Sequence, residues 1–104
     1  MSNHSDIRIL WEYEIHEKFR DHFVKAYEPQ GVWAKLFSRY KGHVKTELIR
    51  DMDQPNRFIT IDYWQSYSAF SIMKHTISDE YDELDRQCDA YTLSEKYIGC
   101  FQCE

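Results

Sequence analysis

The chain has 104 residues and a formal net charge of -5. This length predicts one domain over residues 1–104, with a single core that buries only a modest share of its surface without a partner subunit. The acidic balance, with 13 Lys and Arg residues scattered along the chain, would repel a phosphate backbone. We therefore expect no nucleic-acid partner.

Other features argue against a membrane or metal protein. No apolar run is long enough to span a bilayer, and the N-terminal residues lack the pattern of a signal peptide, so we expect a cytoplasmic protein without membrane contact. Cys88, Cys100 and Cys103 are an odd, sparse set and are expected to be free thiols. Cys100 and Cys103 have CxxC spacing, but no second pair completes a zinc site, and no metal ligands are predicted.

The N-terminal half begins with a strand followed by a broken helix. Apolar residues alternate from Ile7 to Ile15, which predicts the first strand. From Glu17 to about Tyr27 the apolar spacing changes to three and four residues, which predicts a helix. A proline and a glycine within residues 28–31 interrupt it, and helical spacing resumes from Trp33 to Tyr40.

A hairpin follows. Gly42 is typical of the residue just past a helix end. Residues 43–50 predict the second strand, with Val44, Thr46 and Leu48 on one face by strict alternation. Residues 51–56 have a turn composition, and the third strand begins at Arg57 and should pair antiparallel with the second.

The remaining elements are a helix and a strand. Ser66 is a reasonable N-cap for a helix predicted over residues 67–91, either continuous and loosened near residues 76–78 or replaced there by a separate helix beginning at Asp79. A fourth strand is predicted from Glu95 to Gln102.

The order of these elements indicates the fold class. A βαββαβ order predicts an α+β, ferredoxin-like domain with a four-stranded antiparallel sheet and helices on one face. Leu10 and Ile49 add apolar area to the opposite face. We therefore expect a homodimer that buries this sheet face against a second copy.

The end of the third strand carries a recognisable pattern. Asp62-x-Trp64-x-Ser66, followed by Ala69 and Phe70, resembles the antibiotic biosynthesis monooxygenase (ABM) family. This resemblance implies a dimeric α+β barrel with a pocket between helices and sheet in each subunit. Some ABM proteins oxidise polycyclic phenols without a metal or flavin, and some degrade haem.

The haem-degrading members are matched less well. They resemble one another in an asparagine on strand one, a tryptophan that ends strand three and a histidine on the second helix. Here only Trp64 matches, since strand one has no asparagine. His75 is off the apolar stripe of its helix, which favours an exposed histidine over a haem ligand. We predict no cofactor, and haem degradation is the less favoured function.

Asp62 and Trp64 are the candidate catalytic residues. Strand alternation places Thr60, Asp62 and Trp64 on one face. Trp64 could stack on an aromatic substrate and donate its indole N–H, or it could be a core anchor. Asp62 could accept a phenolic proton if burial raised its pKa, or it could accept structural hydrogen bonds.

The predicted substrate is a small aromatic or phenolic molecule. Aromatic residues exceed what so small a core needs, so some should line a pocket. The candidate substrate-binding residues are Trp11, Tyr13, His22, Phe23 and Trp64. The resemblance implies a cofactor-independent monooxygenase; the alternative is a non-catalytic small-molecule-binding or regulatory module on the same scaffold.

Overall fold

A four-stranded antiparallel sheet carries its helices on one face, as the element order predicts. The computed structural model describes residues 6–104. The strands are β1 (Ile7–Ile15), β2 (His43–Arg50), β3 (Arg57–Trp64) and β4 (Thr92–Gln102), in the spatial order β2-β3-β1-β4. This is the ferredoxin-like arrangement.

Within residues 6–104, four helices cover the inner face of the sheet. They are α1 (Arg20–Tyr27), α2 (Val32–Ser38), α3 (Tyr67–Thr76) and α4 (Ser78–Cys88), and single 3₁₀ turns precede α1 and follow α4. The break between α1 and α2 is confirmed. Gly31 is required there because a Cβ at this position would lie 2.4 Å from the Ala26 carbonyl oxygen.

The long helix predicted over residues 67–91 is divided in two. Ile77 both ends α3 and precedes α4, with φ -107° and ψ 23°. Thr76 Oγ1 donates a hydrogen bond to the Ile72 carbonyl oxygen at 2.7 Å, and such bonds from β-branched hydroxyl residues bend helices. The Ile77 side chain is buried, so the bend places it in the core.

The core lies between the helices and the inner face of β1 and β3. Buried and partly buried residues alternate along the whole of β3. The largest fully buried side chains are Trp64, Phe23, Ile15 and Met73. Ser66 caps α3 as predicted, since its Oγ accepts a hydrogen bond from the Ala69 backbone N–H at 3.1 Å.

Candidate functional site

A cavity of about 370 Å³ lies between the helices and the inner face of the sheet. Its wall is largely aromatic and includes Trp11, Tyr13, Trp33, Phe37, Phe70 and Tyr81. Tyr67, Asp85, Glu95 and Tyr97 also line it and are exposed, so the cavity opens to solvent between the α3–α4 pair and β4. A mostly apolar cavity of this size with a few polar groups is typical of a small-molecule site.

Asp62 lies on the floor of this cavity. Alternation along β3 directs its side chain inward, opposite Thr46 of β2 and Ile9 of β1. Thr46 Oγ1 donates a hydrogen bond to Asp62 Oδ1 at 2.6 Å, and the Asp62 residue is only 9% exposed. Burial raises the pKa of the Asp62 carboxyl to about 6, against the lowering effect of the Thr46 hydrogen bond.

Thr46 also contacts His43, through an irregularity in β2. The register between β2 and β3 shifts between His43 and Lys45, so Val44 is an extra residue. Because of this bulge, His43 and Thr46 lie on the same face of the strand, which strict alternation would forbid. His43 Nε2 lies 3.1 Å from Thr46 Oγ1, and burial lowers the pKa of the half-buried His43 ring.

Trp64 points to the same side of the sheet as Asp62 but lies in the packed core. Its side chain is 0% exposed and is outside the set that lines the cavity. Its ring packs against His43 at 5.1 Å, Phe70 at 5.8 Å and Phe37 at 6.0 Å between centroids. The Trp64 indole N–H has no hydrogen-bond partner among residues 6–104.

Trp11 and Tyr13 lie in the cavity wall. The Trp11 ring is tilted against Tyr97 of β4 at 5.3 Å, near the opening. Tyr13 is buried and packs against Tyr27 at 5.1 Å. Burial holds the pKa of the Tyr13 hydroxyl well above its usual range, so this phenol stays neutral.

Phe23 and His22 lie outside the cavity lining. Phe23 is fully buried and stacks on Tyr27 at 4.3 Å, so it supports the wall from behind. His22 is exposed, and its ring contacts Phe19 and Tyr91. His75 is exposed on α3, where its Nδ1 lies 2.7 Å from the Ser71 carbonyl oxygen.

Several lining residues were not selected from the sequence. Trp33 and Phe37 occupy the apolar stripe of α2, and Tyr81 occupies that of α4, so their helical spacing indicated burial but not a cavity. Lys74 Nζ lies 3.6 Å from the centroid of the Tyr81 ring, a cation–π contact at the cavity wall. No sequence pattern marked Thr46 as a partner of Asp62.

The family assignment follows from a comparison with family models. The model described as antibiotic biosynthesis monooxygenase matches residues 6–86. The chain belongs to the ABM family. This match includes the strand-end pattern from Asp62 to Phe70 and confirms the resemblance seen in the sequence.

Solved structures share the fold of this ABM protein. SnoaB, a cofactor-independent oxygenase from Streptomyces nogalater, is 18% identical, with 96% of this chain and 94% of that chain covered and a TM-score of 0.72. A putative antibiotic biosynthesis monooxygenase from Bordetella bronchiseptica is 12% identical, covers 96% and 98% of the two chains and has a TM-score of 0.74. A putative antibiotic biosynthesis monooxygenase from Nitrosomonas europaea is 12% identical, covers 99% and 93%, and has a TM-score of 0.72.

The search of curated proteins found no match. Among residues 6–104, no helix combines the length and the apolar character needed to cross a membrane.

Proposed function

We propose that this ABM protein is a cofactor-independent monooxygenase that acts on a small aromatic, phenolic compound. One observation carries the proposal: a buried carboxylate, Asp62, lies on the floor of an aromatic cavity with its pKa raised to about 6. A general base works best when its pKa is near the working pH. The similarity in fold to a cofactor-independent oxygenase supports the same reaction class.

The reaction needs one base and molecular oxygen. Asp62 takes the phenolic proton, and the electron-rich anion gives one electron to O₂. The carbon radical and superoxide then combine, forming a C–O bond in a peroxide that recovers its proton from Asp62. Loss of the remaining C–H proton, with cleavage of the O–O bond, releases water and leaves a carbonyl, so a phenolic O–H, a ring C–H and O₂ become the two carbonyl groups of a quinone and H₂O.

Asp62 is the lining group best suited to be the base. Burial holds the pKa of Tyr13 and Tyr27 above their usual range and raises that of Tyr81 to about 12, so these hydroxyls remain protonated. Asp85 and Glu95 are carboxylates too, but they are exposed at the opening. A flat ring between the aromatic walls would place its hydroxyl near the floor, where Asp62 lies.

Trp64 is proposed to support the site. Its ring packs against Phe37 and Phe70, which both line the cavity, so it fixes the wall on which the substrate stacks. Trp64→Phe would leave a gap behind these rings and reduce kcat without removing the base.

Oxygen uptake tests the proposal. A panel of hydroxylated naphthalenes and anthracenes, including anthrones, should give uptake with the wild-type protein, and Asp62→Asn should lower kcat at least about 100-fold. Asp82→Asn, an exposed carboxylate on α4 outside the cavity, is the matched control. Ligand binding without uptake across the panel would favour the alternative, a non-catalytic binding module.

We also propose that a second copy of the chain covers the outer sheet face. Residues paired across the strands form an apolar patch there, defined as Leu10, Ile49, Ile59, Ile61 and Phe101. Ile49 is 48% and Phe101 47% exposed. Arg57, which pairs with Glu12 at 3.0 Å and Asp51 at 2.9 Å, lies on this face beside the patch, and an apolar centre with a polar rim is typical of an interface.

A further inference from the structure

We propose that His43 and Thr46 form a proton relay that connects Asp62, on the cavity floor, with a separate surface groove between α2 and the start of β2. The inference deepens the proposed function, because it takes Asp62 as the base. Thr46 lines both spaces, whereas Asp62 lines only the cavity and His43 only the groove. The three side chains therefore join the interior to the surface at a second place, away from the cavity opening.

The hydrogen-bond geometry permits transfer along this line. Thr46 Oγ1 lies 2.6 Å from Asp62 Oδ1 and 3.1 Å from His43 Nε2. A hydroxyl has one proton to donate and lone pairs to accept, so it can take a proton from one neighbour while it gives its own to the other. A proton on Asp62 can thus move to Thr46 while the Thr46 proton moves to His43 Nε2, and the imidazolium then releases a proton to solvent in the groove.

The relay has a function that the cavity opening cannot supply. A bound aromatic ligand would fill the cavity and cut Asp62 off from solvent at the opening between the α3–α4 pair and β4. Asp62 must be ionised before it can accept a phenolic proton. The route through Thr46 and His43 lets the carboxyl exchange its proton with solvent while the cavity is occupied.

The fold holds the side chains of the relay in position. The bulge at Val44 turns His43 to the same face as Thr46, and bulges of this kind are frequent beside active sites. The His43 ring is held edge-on to Trp64 at 5.1 Å and lies 5.9 Å from Phe37. Burial moves the two end groups in opposite directions, raising the pKa of Asp62 to about 6 and lowering that of His43, so their proton affinities approach each other.

Other titratable groups surround both ends. Tyr13, Lys74, Tyr81, Asp85 and Glu95 face the cavity that Asp62 occupies. Lys25, Glu28, Lys35 and Lys45 line the groove that His43 occupies. Because these groups also contribute to the electrostatic potential at each end, the test has to change Thr46 and leave them unaltered.

The first test is an NMR titration of the free protein, with carboxyl carbons of Asp and ring nitrogens of His labelled. In the wild type, the His43 nitrogen shifts should change as Asp62 titrates, and Asp62→Asn should remove that change. Thr46→Val should abolish the coupling and raise the pKa of Asp62, because its hydrogen bond is lost, while Thr46→Ser should preserve both. Independent titration of His43 and Asp62 in the wild type would overturn the relay.

The second test is kinetic. Because the peroxide takes its proton back from Asp62, the relay matters for turnover in molecules whose Asp62 is protonated when substrate binds. At pH 5, below the Asp62 pKa of about 6, Thr46→Val and His43→Phe should each lower kcat about tenfold with KM little changed, and the loss should be smaller at pH 8. Thr46→Ser should restore most of the rate. A change in KM alone, with the kcat of Thr46→Val equal to that of the wild type at pH 5, would also overturn the relay. Since the titration needs no turnover, coupled titration in a protein that consumes no oxygen would contradict the proposed reaction but not the relay.

Discussion

Thr46 Oγ1 donates a 2.6 Å hydrogen bond to Asp62 Oδ1, across the β2–β3 pair and beneath the cavity. Within the described residues 6–104, it is the only hydrogen bond that counteracts the effect of burial on the pKa of this carboxyl. It does not cancel that effect, since the pKa of Asp62 remains raised to about 6. An ionised Asp62 therefore costs folding free energy. Natural proteins often accept such a cost at a functional site.

This cost predicts how stability depends on pH. The folded protein binds the Asp62 proton more tightly than the unfolded chain, whose aspartate pKa is 3.8. The contribution of protonated Asp62 to the free energy of unfolding is therefore fully present below about pH 4 and is lost as pH rises through about 6. Asp62→Asn, which stays neutral, should raise the free energy of unfolding by up to about 3 kcal/mol at pH 8 and by almost nothing at pH 3.5.

Urea unfolding at the two pH values measures this difference. The exposed Asp82→Asn variant, also a loss of one carboxylate, should change the free energy of unfolding only slightly at both. If Asp62→Asn proved less stable than the wild type at pH 8, the ionised carboxylate would have to be stabilised by the fold rather than tolerated.

The same ionisation predicts the pH profile of turnover. Because the base must be ionised, kcat should rise about tenfold per pH unit below 6 and level off above it. Two phenolic substrates of different acidity should show the same break, since it belongs to Asp62. A break that follows the substrate's own acidity would assign the ionisation to the phenol instead.

Much of this site follows from strand alternation, and the remainder depends on contacts that have no period. The alternation from Phe58 to Trp64 placed Asp62 and Trp64 on the inner face, and the element order gave the ferredoxin-like fold. Whether Trp64 borders the cavity or lies behind it depends on how Phe37 and Phe70 pack, which involves three separate elements. Burial alone does not distinguish these two positions.

The bulge in β2 is the clearest feature that the sequence did not predict. Strict alternation puts His43 on the face opposite Thr46, whereas the extra residue Val44 brings them together. Bulge positions depend on the register with the neighbouring strand rather than on local composition. The place of His22 beside Phe23 on a helix made it a candidate for the cavity, although an edge-of-core or solvated position was favoured. Its side chain is exposed, and its ring contacts Phe19 and Tyr91.

Gly42 is predicted to be essential for the corner between β2, β3 and α3. Its φ is +100°, and a Cβ there would lie 2.4 Å from the Ala69 Cβ. Gly42→Ala should lower the free energy of unfolding by about 2 kcal/mol or more, from backbone strain and this clash together. Denaturant unfolding measures the loss.

A double variant separates the two causes. Gly42→Ala with Ala69→Gly removes the clash but retains the backbone strain, so it should recover part of the stability lost in Gly42→Ala beyond the cost of Ala69→Gly alone. Simple addition of the two single effects would show that the Ala69 contact contributes nothing.

The outer sheet face is predicted to hold the dimer together. Ile59 lies on the central strand β3 and pairs with Ile49 of β2, at one side of the apolar patch. Ile59→Glu would place a charge in the proposed interface, where it would lose its hydration without a partner. Light scattering at micromolar concentration should show a dimer for the wild type and a monomer for Ile59→Glu.

Ile72 offers the matched control. It is 65% exposed on α3, on the helical layer rather than the outer sheet face, so Ile72→Glu should remain dimeric. Circular dichroism would confirm that both variants keep the fold, because neither side chain belongs to the buried core. A monomeric wild type would contradict the proposed dimer, and an Ile59→Glu protein that stays dimeric would place the interface elsewhere. Either result would leave the patch on the outer face without an occupant.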